Sequence, residues 1–308
     1  MKIASVKYKG SSTSAIRLSN KWIPLEIFNT IFRKNWPSGI YDIICSGLLS
    51  EIESMIASLE PEQLKSIDES DLLSGKTDFL PLYEVPVKIW GIGLNYTKHA
   101  SDLNEKTPEI FPGSFMKPST TITGHQSTVF IPEMSEKTTC EAELAIVIGE
   151  KCQNVKLNNW QSVVAGFTTV LDMTAEDILR KNPRYLTLSK SFDSFLSIGP
   201  ALLTPTEIRD VNELLVSTVR NNKICAENRV SNMTFSPGEL VSFHSEVMTL
   251  KPGDIILTGT PGAVNIRHND IIEARISGFE TLINNVIDKK KLKNGPLSER
   301  QNNPGNRG

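Results

Sequence analysis

The sequence predicts a strand-rich α+β protein: a small N-terminal α/β unit over residues 1–85, a larger β domain over 86–287, and a polar tail over 288–308. Three observations lead there. From Val87 onward, short apolar runs separated by turns outnumber helical patterns, and the two do not alternate as βα units would. Leu80, Pro81, Val85 and Pro86 punctuate the chain before that change of texture. Near the end, Lys289, Lys290, Lys291 and Lys293 run into Asn, Pro, Gly and Ser, the composition of a solvated or disordered tail.

In order along the chain, Lys2 to Lys9 and Ser14 to Leu18 alternate like strands, and Trp22 to Leu25 follows a polar turn. Ile40 to Leu59 has helical periodicity with a charged face. Further strands are expected at Val87–Ile92, Val129–Ile131, Ala142–Ile148, Ala165–Leu171, Glu213–Val219, Ile255–Leu257 and Ile271–Ile276. Helices are expected at Asn95–Asp102, Leu157–Val163, Ala175–Lys181 and Pro237–Val247. No repeat at solenoid spacing is present.

Composition narrows the function. The chain has 308 residues, 39% apolar and 22% charged, an ordinary globular balance, and a formal net charge of -2. So even a balance gives no field to attract nucleic acid or an anionic membrane, and any ligand must be held by local groups. No apolar run approaches the roughly 20 residues of a membrane span. Met1 to Gly10 carries three lysines and no apolar core of a leader. Cys45, Cys140, Cys152 and Cys225 form no CxxC pair. A cytoplasmic protein with reduced thiols is expected. Gly91-Ile-Gly93 lacks the third glycine of a dinucleotide fingerprint, and His125, His244 and His268 have no zinc spacing.

The most informative segment is Cys140-Glu-Ala-Glu-Leu-Ala-Ile-Val-Ile-Gly149. Glu141 and Glu143 sit two apart, so on a strand they share a face. Two carboxylates there repel unless a cation or donors neutralise them. Ala165 to Leu171 ends in Asp172, a position that suits a fixed ligand or, equally, a helix N-cap before Ala175. An all-oxygen trio would suit Mg²⁺, Mn²⁺ or Ca²⁺ rather than zinc; the two glutamates would also serve as surface cross-strand ion pairs.

Six segments in order and spacing resemble the fumarylacetoacetate hydrolase family, over about Val87 to Ile287. They are Gly91-Ile-Gly-Leu-Asn-Tyr-Thr-Lys-His99, Phe115-Met-Lys-Pro118, the Cys140–Gly149 run, Leu171-Asp-Met-Thr-Ala-Glu-Asp177, Ser189-Lys-Ser-Phe-Asp193 and Leu257-Thr-Gly-Thr-Pro261. The resemblance implies a mixed β-sandwich or roll as catalytic domain, usually a homodimer, with a divalent metal (Mg²⁺ or Mn²⁺, with Ca²⁺ as a further option) on Glu141, Glu143 and Asp172. It also implies a dyad of His99 and Asp102 on a lid helix, the carboxylate orienting an imidazole that draws a proton from water. Lys190 would stabilise an enolate, and Lys117 and Thr260 would contact substrate.

The activity so implied is catabolic hydrolysis of a C–C bond in a small diketo acid. The alternatives are decarboxylation of a 2-oxo-dicarboxylate, keto–enol isomerisation, and a catalytically silent binding homologue. Four departures from the family pattern bear on that choice. Glu176 stands in place of a common Arg, and Leu94 where members handling keto-dicarboxylates carry Arg. Cys140 replaces a frequent Tyr or His, and Arg229-Val-Ser-Asn232 a usual Asn-Thr-Ser-Asp.

Overall fold

In the computed structural model, the structure describes residues 1–60, 77–97 and 110–293, together with positions 62, 63, 67, 72, 73 and 108. The chain opens with an antiparallel meander, β1 (Lys2–Tyr8), β2 (Ser11–Leu18) and β3 (Lys21–Pro24). Lys9 and Gly10 both take positive φ, 48° and 84°, which fits the twist of a tight hairpin. Leu25 does not extend β3 but opens α1 (Leu25–Phe32). The helical stretch expected over Ile40 to Leu59 is two helices, α2 (Ile40–Cys45) and α3 (Leu49–Ala57). Gly47, at φ 67°, makes the break, a conformation open to glycine at little steric cost.

The remaining strands are β4 (Ile89–Gly93), β5 (Gly113–Met116), β6 (Ile122–Thr123), β7 (Thr128–Ile131), β8 (Thr138–Ile148), β9 (Val164–Ala175), β10 (Leu196–Ile198), β11 (Ala201–Leu203), β12 (Leu215–Arg220), β13 (Lys223–Arg229), β14 (Ile255–Leu257), β15 (Val264–Asn265), β16 (Ile271–Ile276) and β17 (Leu282–Asp288). Twelve of the strands form a sheet ordered β3-β2-β1-β11-β9-β8-β14-β4-β5, with β6, β10 and β15 attached beside it. The other five form a sheet ordered β13-β12-β16-β17-β7. Pairing is mostly antiparallel; β4 with β14, β6 with β10 and β7 with β17 run parallel. This is the mixed, strand-rich α+β architecture expected from the sequence.

β1 pairs with β11, Lys2 opposite Leu203 and Ala4 opposite Ala201, so the N-terminal meander β1–β3 continues the large sheet. The long central hairpin β8–β9 divides two cores. Cys140, Ala142, Leu144 and Ile146 face the five-stranded sheet and pack with Val216, Ile272, Ala274 and Leu282. Ala145 and Val147 face the other way, with Val170, Ile255 and Leu257, under Ile40, Ile43, Ile44 and Ile52 of the N-terminal helices. Alternation along β8 then places Glu141 and Glu143 on this second face. One strand face is thus apolar at one end and anionic at the other.

Elements legible in advance include Ile255–Leu257, Ile271–Ile276 and the helix Pro237–Val247, where Ser236 and Glu239 form a reciprocal capping box. Leu157–Val163 is a 3₁₀ stretch rather than an α-helix. The expected end of a strand at Leu171 is corrected: β9 runs through Asp172 to Ala175, paired with β8 throughout, and the next helix opens at Glu176 with no side-chain cap. Asp172 is therefore a residue within a strand and not an N-cap. At the other end of the chain, Asp288 closes β17 and Lys289–Lys293 forms a helical turn in which Lys290 Nζ donates to Ser135 O (2.6 Å). Residues 294–308 lie outside the described part.

Candidate metal centre

Cross-strand pairing builds the site. Glu141 on β8 stands directly opposite Asp172 on β9, and Glu143 follows two residues along the same face. The three side chains can each present one oxygen with all three oxygens within 4.8 Å of one another. Asp172 and Glu143 are buried and Glu141 is half-buried. Three like charges this close in a dry environment demand counter-charge.

Two lysines provide part of it. Lys117, just after β5, donates from Nζ to Asp172 Oδ1 (2.7 Å) and to Met173 O (3.3 Å), its side chain fully enclosed. Lys190 ends the short helix Leu186–Lys190 and bridges Asp172 Oδ2 (2.5 Å) and Glu141 Oε2 (3.0 Å). Aromatic faces enclose both ammonium groups: Phe115 lies 4.5 Å from Lys190 Nζ and Phe195 5.9 Å from Lys117 Nζ. Among the described residues no lysine bonds Glu143 directly. Its Oε2 accepts from the backbone N–H of Gly259 (2.6 Å).

Gly259 is required for that bond. It sits at φ 93°, and a Cβ there would come 2.8 Å from Asn95 Cβ. Asn95 in turn locks the loop: its amide donates to Thr258 O (2.8 Å) and Phe235 O (2.9 Å), and its Oδ1 accepts from Phe235 N (2.8 Å). Thr258 reaches across to Leu144 O from both its backbone N–H and its hydroxyl.

Ionisation follows this geometry. Burial raises the Glu143 carboxyl well above its ordinary value; the charges of Asp172 and Glu141 add to the rise, and Lys190 and the Gly259 amide oppose it. Burial pushes Lys117 down to about 8, against the pull of Asp172. Burial would lower Lys190 too, but Asp172, Glu141 and Glu143 outweigh it and hold that ammonium above its ordinary value.

The donor set fits a hard divalent cation. All three ligands are carboxylates, and no histidine or cysteine joins the group among the described residues. A proton on Glu143 competes with any such cation. Because its pKa is raised, the carboxyl still carries protons above the usual carboxylate range, and a cation must displace them. Affinity for Mg²⁺ should therefore rise with pH from about 4.5, the ordinary value, up through the raised one. Calorimetry in buffers of different ionisation enthalpy should detect the released proton; binding that is flat with pH would contradict this ionisation order.

Of the other residues expected at the site, His99 and Asp102 lie outside the described residues. Thr260 is buried beside the site, its hydroxyl exchanging hydrogen bonds with the backbone of Gly262 in its own turn (3.2 Å each). Glu176 is bound to Lys137 (2.7 Å) and Arg180 (2.5 Å), which balance the charge that replaces the family's Arg. Cys140 faces the inter-sheet core, away from Glu141. Arg229 pairs at the surface with Glu213. Leu94 takes φ 56° at the turn that presents Asn95. Sequence reasoning missed the Gly259 amide and the Asn95 clamp; the glycine in Leu257-Thr-Gly-Thr-Pro261 was the available signal.

Fold and site together define a two-sheet, strand-rich protein with a carboxylate trio suited to a divalent cation. The chain belongs to the fumarylacetoacetate hydrolase family: the family model described as fumarylacetoacetate (FAA) hydrolase C-terminal matches residues 88–287. A protein of Archaeoglobus fulgidus is 41% identical over 210 residues, covering 68% of this chain and 82% of the relative. Oxaloacetate tautomerase Fahd2a, mitochondrial, of Rattus norvegicus is 34% identical over 217 residues, 68% of this chain and 69% of the relative. Among solved structures, 5-carboxymethyl-2-hydroxymuconate delta-isomerase of Mycobacterium smegmatis superposes with a TM-score of 0.71 at 25% identity, covering 94% of this chain and 99% of that one. Among the described residues no helix is long and apolar enough to cross a membrane.

Proposed function

We propose that the protein is a divalent-metal-dependent enzyme that forms the enolate of a small 2-oxo acid, with keto–enol tautomerisation as its reaction. One observation carries this reading: the trio Glu141, Glu143 and Asp172 sits with the Lys190 ammonium at its edge, so anionic oxygens and a fixed cation meet at one place. The three carboxylates would hold Mg²⁺, Mn²⁺ or Ca²⁺. Such a cation, when bound, supplies Lewis-acid polarisation of a keto oxygen and counter-charge for the substrate carboxylate.

The chain's own groups do the rest. Lys190, kept protonated by its carboxylate neighbours, donates from Nζ to the oxygen on which enolate charge develops. Lys117 holds Asp172 in place from behind rather than reaching substrate, since its side chain is fully enclosed. The Gly259 amide fixes Glu143. Phe115 and Phe195 keep water from both ammonium groups. Moving a proton at carbon requires, beside this stabilised oxygen, a base to take the proton, a role His99 of the Asn95–His99 segment would fill, and the name of the rat relative agrees with such a reaction.

A second reading, hydrolysis of a C–C bond in a diketo acid, has the segment Asn95-Tyr-Thr-Lys-His99 in its favour, because His99 with Asp102 would activate the water that hydrolysis needs. Oxaloacetate and an acylpyruvate separate the two. With Mg²⁺ present, enol-to-keto conversion of oxaloacetate should be accelerated and acylpyruvate left uncleaved; acylpyruvate cleavage without tautomerisation would overturn the first reading and establish the second. All four cysteines are unpaired, which supports a reducing compartment, cytoplasmic or, as the rat relative's name states of that protein, mitochondrial.

A further inference from the structure

A cleft of about 700 Å³ opens where the N-terminal meander meets the five-stranded sheet, a size typical of small-molecule sites. Lys2 of β1 and Leu203 of β11, which pair with each other, line it together with the turn at residues 277–279. The cleft is separate from the carboxylate trio. Leu203 also pairs with Phe167, five residues before Asp172 on β9, which is about 17 Å along the strand. The apolar part of the lining comes from Leu203 and Leu214, which are buried, and from Ile208 and Phe279, which are half-buried and pack against two of the cores at once. Five charged residues also line the cleft, and four are already engaged. Lys2 Nζ donates to Gly278 O (2.7 Å), Glu207 pairs with the Met1 ammonium (3.1 Å), and Glu213 pairs with Arg229 (3.2 Å). Asp210 accepts from the backbone and the side chain of Asn212 (2.9 and 3.1 Å). Arg209 is exposed and has no hydrogen bond or ion pair among the described residues. It lines a second cavity as well, of about 220 Å³, so its short segment stands between two hollows.

We propose that this cleft binds a small amphiphilic carboxylic acid, with its hydrocarbon body on Ile208, Leu214 and Phe279 and its carboxylate on Arg209. The apolar body gains by leaving water for a lining of this kind. The planar guanidinium offers paired N–H donors that match the two oxygens of a carboxylate. The head group is a monoanion because the lining holds one unpaired cation. Glu207, Asp210 and Glu213 would repel the second charge of a phosphate monoester, so the same acidic residues select against that class. The site depends neither on the metal centre nor on the reaction there, and it gives the chain a second binding function.

The test uses full-length protein stripped of divalent cations and two fluorescent probes. Anilinonaphthalene sulfonate joins an apolar body to one anionic head, and phenylnaphthylamine is its uncharged counterpart. The expected result is saturable binding of the sulfonate, displaced by phenylbutyrate and not by phenylbutanol. Arg209→Gln should weaken the sulfonate and phenylbutyrate about tenfold, between the effect of an exposed ion pair and that of a buried charge-assisted bond. The same change should leave phenylnaphthylamine binding and the melting temperature as in wild type, since Arg209 holds nothing in the fold. Equal sulfonate affinity in wild type and Arg209→Gln would overturn the proposal, as would absence of binding to the wild type. Displacement by the alcohol as readily as by the acid would overturn it by showing that the charge is not recognised. A lowered melting temperature in Arg209→Gln would remove the unpartnered cation on which the proposal stands.

Discussion

Asp172→Ala should lower folding stability by about 3–5 kcal/mol, because it strands a buried charge. Lys117 has no exposed side-chain surface, and among the described residues its ammonium bonds only Asp172 and the carbonyl of Met173. Lys190 loses its shorter contact as well, although Glu141 still holds it. An ammonium that cannot reach water must shed its proton or carry its desolvation uncompensated. A second change, Lys117→Met, removes that charge with similar volume and should recover most of the loss, as buried pairs replaced by apolar groups often do. Urea unfolding of the wild type, both single variants and the double variant gives the coupling directly. An Asp172→Ala variant within about 1 kcal/mol of wild type, smaller than any buried-pair effect, would mean that Lys117 does not depend on Asp172.

Glu143→Ala should behave in the opposite way toward stability and more severely toward function. The carboxyl is raised by burial and by its acidic neighbours, so removing it relieves repulsion, and the fold should persist or gain slightly. Cation binding should fall by at least about 100-fold, more than the loss of an outer partner of a metal ligand brings, and turnover should vanish with it. Isothermal titration with Mg²⁺ or Mn²⁺ is the measurement: about one ion per chain in the wild type, none detectable in Glu143→Ala. Glu141→Ala should lose the ion too. Retained binding in both would remove the trio from the chemistry.

Why some of this was legible in the sequence and some was not follows from the range of each interaction. Glu141 and Glu143 were readable because a spacing of two fixes a shared face whatever the rest of the chain does. Their relation to Asp172 needed the hairpin register, which the apolar runs suggest but do not set. Asp172 resembled a strand end because a charged residue inside a strand buried on both faces is rare; the two lysines that permit it lie 55 and 18 positions away. Lys117 was expected at the substrate for the same reason, since nothing in Phe115-Met-Lys-Pro118 names its partner. β13 went unread because its mixed sequence, Lys-Ile-Cys-Ala-Glu-Asn-Arg, suits a largely exposed edge strand with no clean alternation; the Asn221-Asn222 hairpin turn, both at positive φ, was the clue.

The junction of β1 with β11 carries the large sheet beyond the segment that the family model matches. The matched segment begins at residue 88, yet without the preceding residues β11 would become a raw sheet margin able to recruit other chains. Val147, Val170, Ile255 and Leu257 would lose the roof of helices above them and meet solvent. The N-terminal portion thus works as a graft welded along the sheet rather than as a passenger on a tether. Since the anionic end of β8 continues the face those helices cover, variation in that graft has a direct structural route to the carboxylate trio without adding a carboxylate to it.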